Sequence, residues 1–400
     1  MASSRTIIIA GAGIGGLVAA LALAKKGFRV TLFEQSPRLE ETGAGIQLSP
    51  NATRVLIALG LGEALKPYVV APEDIRVRKA SSARELLRVP LGQSAELRYG
   101  APYWVIHRGD LQTVLLEAAG ANPDITLALG TKVEDYAAHA NGVTAQTRRG
   151  TQVADEHGIA LIGADGLGST IRARLGDATP PSFRRRTAWR ALVPAEAVPS
   201  EFRGASVDLW LGRNAHLVHY PVKAGALINI VAIVRDGSAE SGWNNAGTRE
   251  ELLARFSSWS WAEPARAVLA APQQWAKWAL YDRPPLSKWG EGPVTLIGDA
   301  AHPMLPFLAQ GAAMAIEDAA VLAEYLGHSA DNPAKAMQSY ERARRRRTAK
   351  VQHAARRNDK RFHVWGAEAI IRNLALRIMG GEYLLKRHDW LYGWQPDRAR

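Results

Sequence analysis

The sequence contains no cysteine among its 400 residues. This absence excludes disulfide bonds, thiolate metal sites, iron–sulfur clusters and a cysteine nucleophile. The ten histidines are scattered and form no metal-binding motif such as H-E-x-x-H, so we expect no metal site. A chain without cysteine is typical of a reducing compartment, and we therefore expect a cytoplasmic protein.

Long apolar runs are scarce, and the most prominent one spans residues 7–24. Its 18 apolar or glycine positions are enough to be mistaken for a membrane span or a signal peptide. However, Gly11, Gly13 and Gly16 have the spacing G-x-G-x-x-G and directly follow the β-branched run Thr6–Ala10. Membrane spans and signal peptides do not need that spacing, so the run predicts a dinucleotide-binding unit.

A strand–helix–strand unit follows from this glycine pattern. We predict a helix from Ile14 to Lys26, which Gly27 ends, and a second strand that ends at Glu34. The glycines let the backbone approach a pyrophosphate, and the helix N-terminus offers free N–H groups to it. An acid at the position of Glu34 accepts hydrogen bonds from the hydroxyls of an adenosine ribose, which favours FAD or NAD.

Acidic residues are outnumbered, 38 against 50 basic ones, which gives a net charge of +12. Residues 331–400 contain 17 Lys or Arg and seven Asp or Glu, so most of the excess lies there. We interpret the basic run at residues 342–347 as a solvated helix face and favour this over nucleic-acid binding. Attraction of an anionic substrate and a dimer contact stay open, and a basic nucleic-acid-associated protein that uses a nucleotide only structurally is the alternative of another class.

Two further motifs of the nucleotide-binding type follow predicted buried strands. Asp165 lies at a strand end in the segment Gly163–Arg172, where a carboxylate beside glycines suits ligand hydroxyls. A capped turn with a salt bridge is an equally good interpretation of that segment alone. Asp299 follows a third strand, and a helix that begins at Gly311 offers its positive N-terminal end to an anionic ring.

The three motifs together make the sequence similar to the single-component FAD-dependent aromatic hydroxylases, in the salicylate hydroxylase-like branch. The resemblance extends from Gly11 to Trp394. It implies FAD as cofactor and NADH or NADPH as a transient co-substrate, with no separate nicotinamide domain. It also implies hydroxylation of a small hydroxylated aromatic carboxylate of the salicylate, hydroxybenzoate or hydroxynicotinate type by O₂, through a hydroperoxide at flavin C4a. A homodimer is left open, and neither a nucleic-acid partner nor a membrane span is expected.

The domain organisation that we predict is an α/β fold with a discontinuous Rossmann-like FAD-binding domain, a β-sheet substrate domain and a C-terminal helical region. The predicted boundaries are residues 1–75, 96–180 and 286–330 for the FAD-binding domain, 76–95 and 181–285 for the substrate domain, and 331–400 for the helical region.

The resemblance also implies which residues hold FAD. Glu34 holds the adenosine ribose, Arg108 and Asp299 hold the middle of the cofactor, and Gly311 and Ala312 lie against the isoalloxazine. The full implied set is Gly11, Gly13, Ile14, Gly16, Glu34, Gly45, Arg108, Asp165, Asp299, Gly311 and Ala312.

A catalytic pair is predicted on the strand Ala215–Val222. The period of two places His216 and Tyr220 on one face, and His219 on the other face as a surface residue. From spacing alone we favour an ordinary sheet with surface His and Tyr. The resemblance reverses this preference, because related hydroxylases of hydroxybenzoates and hydroxypyridine carboxylates have His and Tyr four residues apart here. The pair would orient and deprotonate a phenol.

The substrate pocket is predicted to include Gln47, Tyr103, Pro303, Pro306 and Phe307. The histidine that precedes Pro303 is given a structural role in the turn. Pro306 departs from hydroxybenzoate 6-hydroxylases that have a polar amide at this position, which leaves the exact substrate open. The alternative within the same fold is a flavin monooxygenase or epoxidase that acts on a bulkier polycyclic or isoprenoid substrate.

Overall fold

A computed structural model describes residues 5–39, 43–237, 245–257 and 260–396. The strands are β1 Thr6–Ala10, β2 Arg29–Glu34, β3 Gly45–Leu48, β4 Asp74–Lys79, β5 Glu85–Pro90, β6 Trp104–His107, β7 Ile125–Leu129, β8 Lys132–His139, β9 Gly142–Arg149, β10 Gln152–Gly158, β11 Ala160–Gly163, β12 Ser182–Pro194, β13 Ser206–Leu211, β14 Ala215–Val222, β15 Leu227–Arg235, β16 Asn245–Thr248, β17 Gln274–Asp282, β18 Gly290–Glu291 and β19 Val294–Leu296. The helices are α1 Ile14–Ala24, α2 Pro50–Ala58, α3 Gly62–Leu65, α4 Gly92–Tyr99, α5 Arg108–Gly120, α6 Thr170–Arg174, α7 Arg249–Ser257, α8 Glu263–Ala270, α9 Gly311–His328, α10 Pro333–Phe362, α11 Gly366–Met379, α12 Gly381–Lys386 and α13 Asp389–Tyr392.

A six-stranded sheet brings the three predicted motifs to one edge. Its strand order is β18-β19-β11-β1-β2-β7, and β19, β11, β1, β2 and β7 run parallel. The central strands β1 and β11 are buried along nearly their whole length, which explains their continuous apolar sequences. Because the carboxyl ends of parallel strands share an edge, Gly11, Asp165 and Gly298 follow strands that end side by side. The α/β fold class and the helical C-terminal region are confirmed.

An eight-stranded sheet has the order β16-β17-β12-β15-β14-β13-β4-β5. Strands β4 and β5 come from residues 74–90 and the other six from residues 182–282, so the sheet combines two distant parts of the chain. The domain boundaries themselves stay a prediction. On one face, helices α7 and α8 pack over a core that contains Trp189, Trp210 and Leu217. Because of these helices, every second side chain of β14 is buried.

His219 is such a side chain, and its prediction as a surface residue is wrong. It is 1% exposed, and its Nε2 accepts a hydrogen bond from Trp210 Nε1 at 3.0 Å. Burial lowers the pKa of His219 to about 4, against a smaller opposing effect of the nearby Asp208 carboxylate. The alternation of β14 is as predicted, but both faces of this strand are covered and neither is solvent-facing.

Strands β3 and β6 form a separate two-stranded sheet that lies against β14 of the eight-stranded sheet. The Gly45 N–H donates to Asn229 Oδ1 at 2.7 Å, and a Cβ on Gly45 would lie 2.7 Å from the Tyr220 ring. Only glycine permits this approach without a shift of its neighbours. Gln47, two residues along β3, is thereby held beside β14.

The apolar run at residues 7–24 does not form one continuous helix. It is divided between strand β1, a glycine turn and helix α1, and most of it is buried inside the protein. Within the described ranges, no helix combines the length and apolar character that crossing a bilayer requires.

Helices α9 and α10 enclose a cluster of buried charges. Glu317 and Asp318 on α9 and Arg344 on α10 are each 0% exposed. Arg344 donates from Nη1 to Glu317 Oε2 at 2.6 Å and from Nε to Asp318 Oδ1 at 2.7 Å. Arg347 donates from Nε and Nη2 to the two Glu317 oxygens at 2.6 and 2.7 Å. The interpretation of the basic run as a solvated face is therefore wrong for Arg344 and Arg347, because both bind buried acids.

The buried charges also fix the turn that precedes Asp299. Asp318 Oδ2 accepts from the Gly298 N–H at 3.0 Å and from His302 Nε2. Burial alone would raise the pKa of Asp318, but the charges of His302 and Arg344 outweigh it and hold that pKa at about 2. His302 thus has the structural role expected for it. On the other side, Asn51 at the start of α2 donates to Glu317 Oε1 at 2.6 Å.

We predict that Arg344→Met destabilises the protein by about 3–5 kcal/mol, because it removes a buried cation that pairs with both Glu317 and Asp318. Arg346→Met is the matched control, since Arg346 is exposed on the same helix and its loss should cost within about 0.5 kcal/mol. Urea unfolding followed by far-UV circular dichroism measures both. Equal stability of the two variants would contradict a supporting role for the buried cluster.

Candidate active site

The turn between β1 and α1 has the backbone shape that the glycine motif requires. Gly11 has φ +105°, and a Cβ there would lie 2.5 Å from the Ala164 carbonyl oxygen. A Cβ on Gly16 would lie 1.9 Å from the Gly11 carbonyl oxygen, so this glycine lets helix α1 pack onto its own turn. By contrast, a Cβ on Gly13 would meet no atom within 4 Å. Gly13 and the following N-terminus of α1, which begins at Ile14, therefore face open space where a pyrophosphate fits.

Glu34 lies at the end of β2, beside this turn. Its Oε2 accepts from the Ala12 N–H and its Oε1 from the Ser36 N–H, both at 2.9 Å. These bonds fix the carboxylate next to the glycine turn, and each oxygen keeps a further lone pair for a ribose hydroxyl.

The Asp165 carboxylate accepts hydrogen bonds from groups of the protein itself. It accepts from Ser169 Oγ at 2.5 Å and from the backbone N–H groups of Thr170 and Ile171 at 2.7 and 3.1 Å. Burial raises the pKa of Asp165 although these hydrogen bonds oppose the shift. The carboxylate thus caps the start of α6, as in the alternative interpretation of this segment. A direct contact of Asp165 with FAD stays a prediction.

Arg172 connects the second motif to the third. The side chain is buried, pairs with Asp177 through Nε and Nη2, and donates from Nη1 to the carbonyl oxygens of Ala300 and Ala301 at 3.1 and 3.3 Å. These two carbonyls directly follow Asp299. Arg172, which belongs to the second motif, therefore holds the turn that contains Asp299, the acid of the third motif.

Helix α9 packs closely against both glycine turns. A Cβ on Gly15 would lie 3.2 Å, and one on Gly298 3.0 Å, from the Ala315 Cβ. The small Ala315 side chain lets α1, α9 and the turn at Gly298 meet. The first and third motifs, almost 300 residues apart in sequence, are thus neighbours in the structure.

Asp299 and Arg108 are neighbours in the structure. Asp299 is exposed, yet the surrounding protein desolvates its carboxyl group and raises its pKa, against the lowering effect of His302 and Arg108. Arg108 begins helix α5, and its N–H donates to the Ala44 carbonyl at 2.8 Å. The charge of Arg108 acts on Asp299, so the two side chains predicted to hold the middle of FAD face one region.

Helix α9 begins at Gly311, twelve residues after Asp299 in the sequence. A Cβ on Gly311 would meet no atom within 4 Å, whereas the preceding Gln310 is buried and donates to Ser49 Oγ at 2.8 Å. The helix end at Gly311 and Ala312 therefore presents free N–H groups to open space from a fixed position. Open space at Gly13 and at Gly311, together with the exposed Asp299 side chain, fits an extended dinucleotide.

A cavity of about 660 Å³ borders this helix end, since Ala309 is part of its wall. It lies between the eight-stranded sheet and the C-terminal helices. Five predicted residues line it: Gln47, Tyr103, His216, Pro306 and Phe307. Tyr220 and Pro303 are buried outside the lining, and the Pro303 carbonyl accepts from Gln352 Nε2 at 2.8 Å.

Tyr220 reaches the cavity through Gln47. Tyr103 Oη donates to Gln47 Oε1 at 2.6 Å, and the Gln47 side chain also hydrogen-bonds to Tyr220. Burial raises the pKa of Tyr220, although the Arg190 charge and the Gln47 hydrogen bond oppose this shift. Both tyrosines are therefore neutral hydrogen-bonding groups at neutral pH. Tyr103 and Gln47 are polar groups of a largely apolar cavity wall, and Tyr220 acts on the cavity only through Gln47.

His216 is the titratable group of β14 that lines the cavity. It is 2% exposed, and burial holds its pKa well below the usual range, with the nearby His363 and Arg186 acting in the same direction. Its Nδ1 lies 2.8 Å from His363 Nε2, and its ring packs against Phe307 and Phe362. A neutral imidazole in the cavity wall can accept a proton.

The C-terminal helices supply a wall that the sequence motifs did not reveal. Their lining residues include four arginines and many apolar side chains; the arginines are Arg357, Arg361, Arg372 and Arg387. The sequence offered one signal for His363, because it follows Asp359 by four residues and helical neighbours at that spacing meet. No comparable signal marks the arginines, since basic residues are frequent throughout residues 331–400.

Comparisons with known proteins agree with this geometry. The family described as "FAD binding domain" matches residues 4–355. The chain is 39% identical over 390 residues to 3-hydroxybenzoate 6-hydroxylase 1 of Aquipseudomonas alcaligenes, covering 97% of this chain and 98% of that one. It is 36% identical to 6-hydroxynicotinate 3-monooxygenase of Pseudomonas fluorescens, covering 90% and 92%. A solved salicylate hydroxylase substrate complex superposes with a TM-score of 0.83 at 28% identity, covering 100% and 98%.

We predict that Gly13→Ala weakens FAD binding at least tenfold, about 1.4 kcal/mol, without destabilising the apoprotein. The added methyl group meets no protein atom and would occupy the space of the pyrophosphate. Gly120→Ala is the matched control, because a Cβ there also meets no atom and Gly120 lies far along α5. Quenching of FAD fluorescence and thermal melting of the apoprotein measure the two effects. Unchanged FAD affinity in Gly13→Ala would place the pyrophosphate elsewhere.

Proposed function

Because this chain belongs to the FAD-dependent aromatic hydroxylases that share the FAD binding domain, we propose that it hydroxylates a small aromatic ring bearing both a hydroxyl and a carboxylate group. The first candidate substrate is 3-hydroxybenzoate, on which the relative from Aquipseudomonas alcaligenes acts by name, and 6-hydroxynicotinate is the second. The observation that supports the proposal most is the neutral His216 imidazole in the wall of a largely apolar cavity beside the N-terminus of α9.

The cofactor site of the proposal is the cleft from Gly13 to Gly311. Glu34 would hold the adenosine ribose, the N-terminus of α1 the pyrophosphate, and Asp299 with Arg108 the middle of the cofactor. The N–H groups at Gly311 and Ala312 would lie against the isoalloxazine. FAD, when bound, takes electrons from NAD(P)H and supplies the oxygen-transfer chemistry with O₂.

His216 is the base that we propose for the substrate hydroxyl. A phenolate is more electron-rich than a phenol, so removal of this proton prepares the ring for attack by an electrophilic oxygen. The apolar side chains around His216, among them Val218, Phe307 and Leu308, limit access of water to the ring. Tyr103 and Gln47 would orient the ring through hydrogen bonds, and Tyr220 would act through Gln47.

In this proposal, the four arginines of the C-terminal helices that line the cavity supply the specificity for an anionic substrate. Burial lowers the pKa of Arg372 to about 10, which leaves this side chain charged at neutral pH. Its guanidinium donates to the Phe362 and Arg361 carbonyls and to Asn373, and no acidic side chain in the described part of the chain pairs with it. A partly buried cation with no counter-ion favours a carboxylate at this side of the cavity.

The proposal also covers the reaction partners and the location. NADH or NADPH and O₂ are the co-substrates, and the enzyme works in the cytoplasm, where reduced nicotinamides are available. A homodimer stays a prediction from the sequence.

We expect 3-hydroxybenzoate or 6-hydroxynicotinate to stimulate NAD(P)H oxidation by the FAD-loaded protein, with one hydroxylated product formed per O₂ consumed. Benzoate lacks the hydroxyl that His216 would deprotonate, so it should give no hydroxylated product. An oxygen electrode combined with liquid chromatography of the products measures both quantities.

Two outcomes would contradict the proposal. The first is a protein that remains colourless and takes up no FAD. The second is turnover confined to polycyclic or isoprenoid substrates in the same panel, which would favour the bulkier-substrate alternative.

The catalytic pair gives a further prediction. His216→Ala should lower kcat about a hundredfold through loss of the base, and Tyr220→Phe about tenfold through loss of orientation by Gln47, while both variants keep FAD affinity within about twofold. Tyr68→Phe, a tyrosine at the surface, is the control and should leave kcat unchanged. Stopped-flow turnover and FAD titration provide the two readouts. A parallel loss of FAD binding and turnover would instead identify β14 as a structural strand.

A further inference from the structure

The geometry points to a proton relay that runs from the cavity through His216 and His363 to Asp359. This inference rests on the proposed function, because it describes where the proton of the substrate hydroxyl goes. In it, His216 touches the substrate, whereas His363 and Asp359 are positioning and proton-transfer groups that act through His216. Neither His363 nor Asp359 belongs to a motif of the sequence.

The hydrogen bonds fix which nitrogen of each ring carries the proton. His363 Nδ1 lies 2.6 Å from the Asp359 carbonyl oxygen and 3.1 Å from Asp359 Oδ1. Both partners are acceptors only, so His363 Nδ1 must be the donor and its Nε2 has the free lone pair. That Nε2 lies 2.8 Å from His216 Nδ1, which must therefore carry the second proton. His216 Nε2 is left as an acceptor, which is the atom that a base needs.

The surroundings keep this arrangement neutral in the resting protein. Burial lowers the pKa of His363, and the charge of Arg186 on β12 lowers it further, against the hydrogen bonds to Asp359. Arg186 Nε donates to Asp359 Oδ1 at 3.0 Å, which keeps the carboxylate ionised. His216 also packs against the uncharged rings of Phe307 and Phe362, and His363 packs against Phe307. Arg186 and Asp359 are thus the charged groups that face the relay.

The transfer moves one proton and requires no oxidant or reductant. The O–H bond of the substrate breaks and its proton joins His216 Nε2, while the proton on His216 Nδ1 passes to His363 Nε2. His363 becomes an imidazolium, which the ionised Asp359 stabilises, and the substrate becomes a phenolate. The reverse transfer to the product phenolate restores both rings to their first state.

The relay ends near solvent. The side chains of Asp359 and Arg186 are 12% and 13% exposed, whereas those of His216 and His363 are each 2% exposed. The two imidazoles are therefore buried, whereas Asp359 at the end of the relay is partly accessible to water. A proton can leave the cavity along this path without the entry of a water molecule beside the reacting ring.

The test uses the FAD-loaded enzyme with 3-hydroxybenzoate, or with whichever phenolic acid of the panel the wild type hydroxylates. At pH 7, His363→Gln should lower kcat about ten- to a hundredfold, and Asp359→Asn less, because the carboxamide still accepts a hydrogen bond. Wild-type kcat should be nearly flat above neutral pH. In His363→Gln, kcat should rise about tenfold per pH unit up to pH 9, since the free phenol ionises near pH 10 and then needs no relay.

His353→Gln is the matched control, because His353 is exposed on the same helix and should give the wild-type kcat and pH profile. FAD affinity and melting temperature are measured for each variant. A wild-type kcat at pH 7 in His363→Gln would overturn the relay. A loss of kcat that is equal at every pH would overturn it as well, because a merely structural role predicts no recovery.

A second readout does not depend on turnover. In the ¹⁵N-histidine-labelled enzyme at pH 7.5, both His216 and His363 should show a protonated Nδ1 and a bare Nε2, with assignments from His216→Ala and His363→Gln. A protonated Nε2 on either ring would overturn the relay even if hydroxylation is observed. Conversely, the expected tautomers in an enzyme that hydroxylates no phenolic acid would support the relay geometry and contradict the proposed function.

Discussion

A buried group of two acids and two arginines is the constraint on which the cofactor side of the structure depends. Glu317 and Asp318 have no contact with solvent, and an unpaired buried carboxylate costs several kcal/mol. Helix α9 can therefore hold these acids only when α10 supplies Arg344 and Arg347. Since Asp318 also accepts from the Gly298 N–H, the same charges fix the turn that presents Asp299. The position of Asp299 is thus decided by the buried charges that hold its turn.

Strand direction explains how distant motifs converge at that turn. Strands β1, β11 and β19 are parallel neighbours, so the residues that follow them meet at one edge although they are separated by well over a hundred positions. Arg172 then connects the second turn to the third through the Ala300 and Ala301 carbonyls. Gly45 connects this region to the eight-stranded sheet, because its N–H binds Asn229 and its missing side chain leaves room for Tyr220.

Local patterns predicted the parts of the site that depend on local geometry. The glycine spacing after β1, the turn at Asp299 and the alternation of β14 follow from backbone periods, and the structure shows them. The error at His219 has a different cause, since periodicity assigns a side chain to a face but does not tell whether another layer covers that face. Arg344 was misassigned for the same reason. The His363 contact depends on the approach of β14 to the end of α10, which no local pattern determines.

Helix α10 joins the two halves of the site. Arg344 in its first half binds the acids of α9, and His363, which ends the helix, contacts His216 on β14. The two residues are 19 positions apart, about 28 Å along a helix with a rise of 1.5 Å per residue. A helix of this length is stiff when packed along its sides. The ion pairs that hold α9 in place therefore also set the position of His363 relative to the eight-stranded sheet, so that the turn at Asp299 and the proposed proton path share one rigid support.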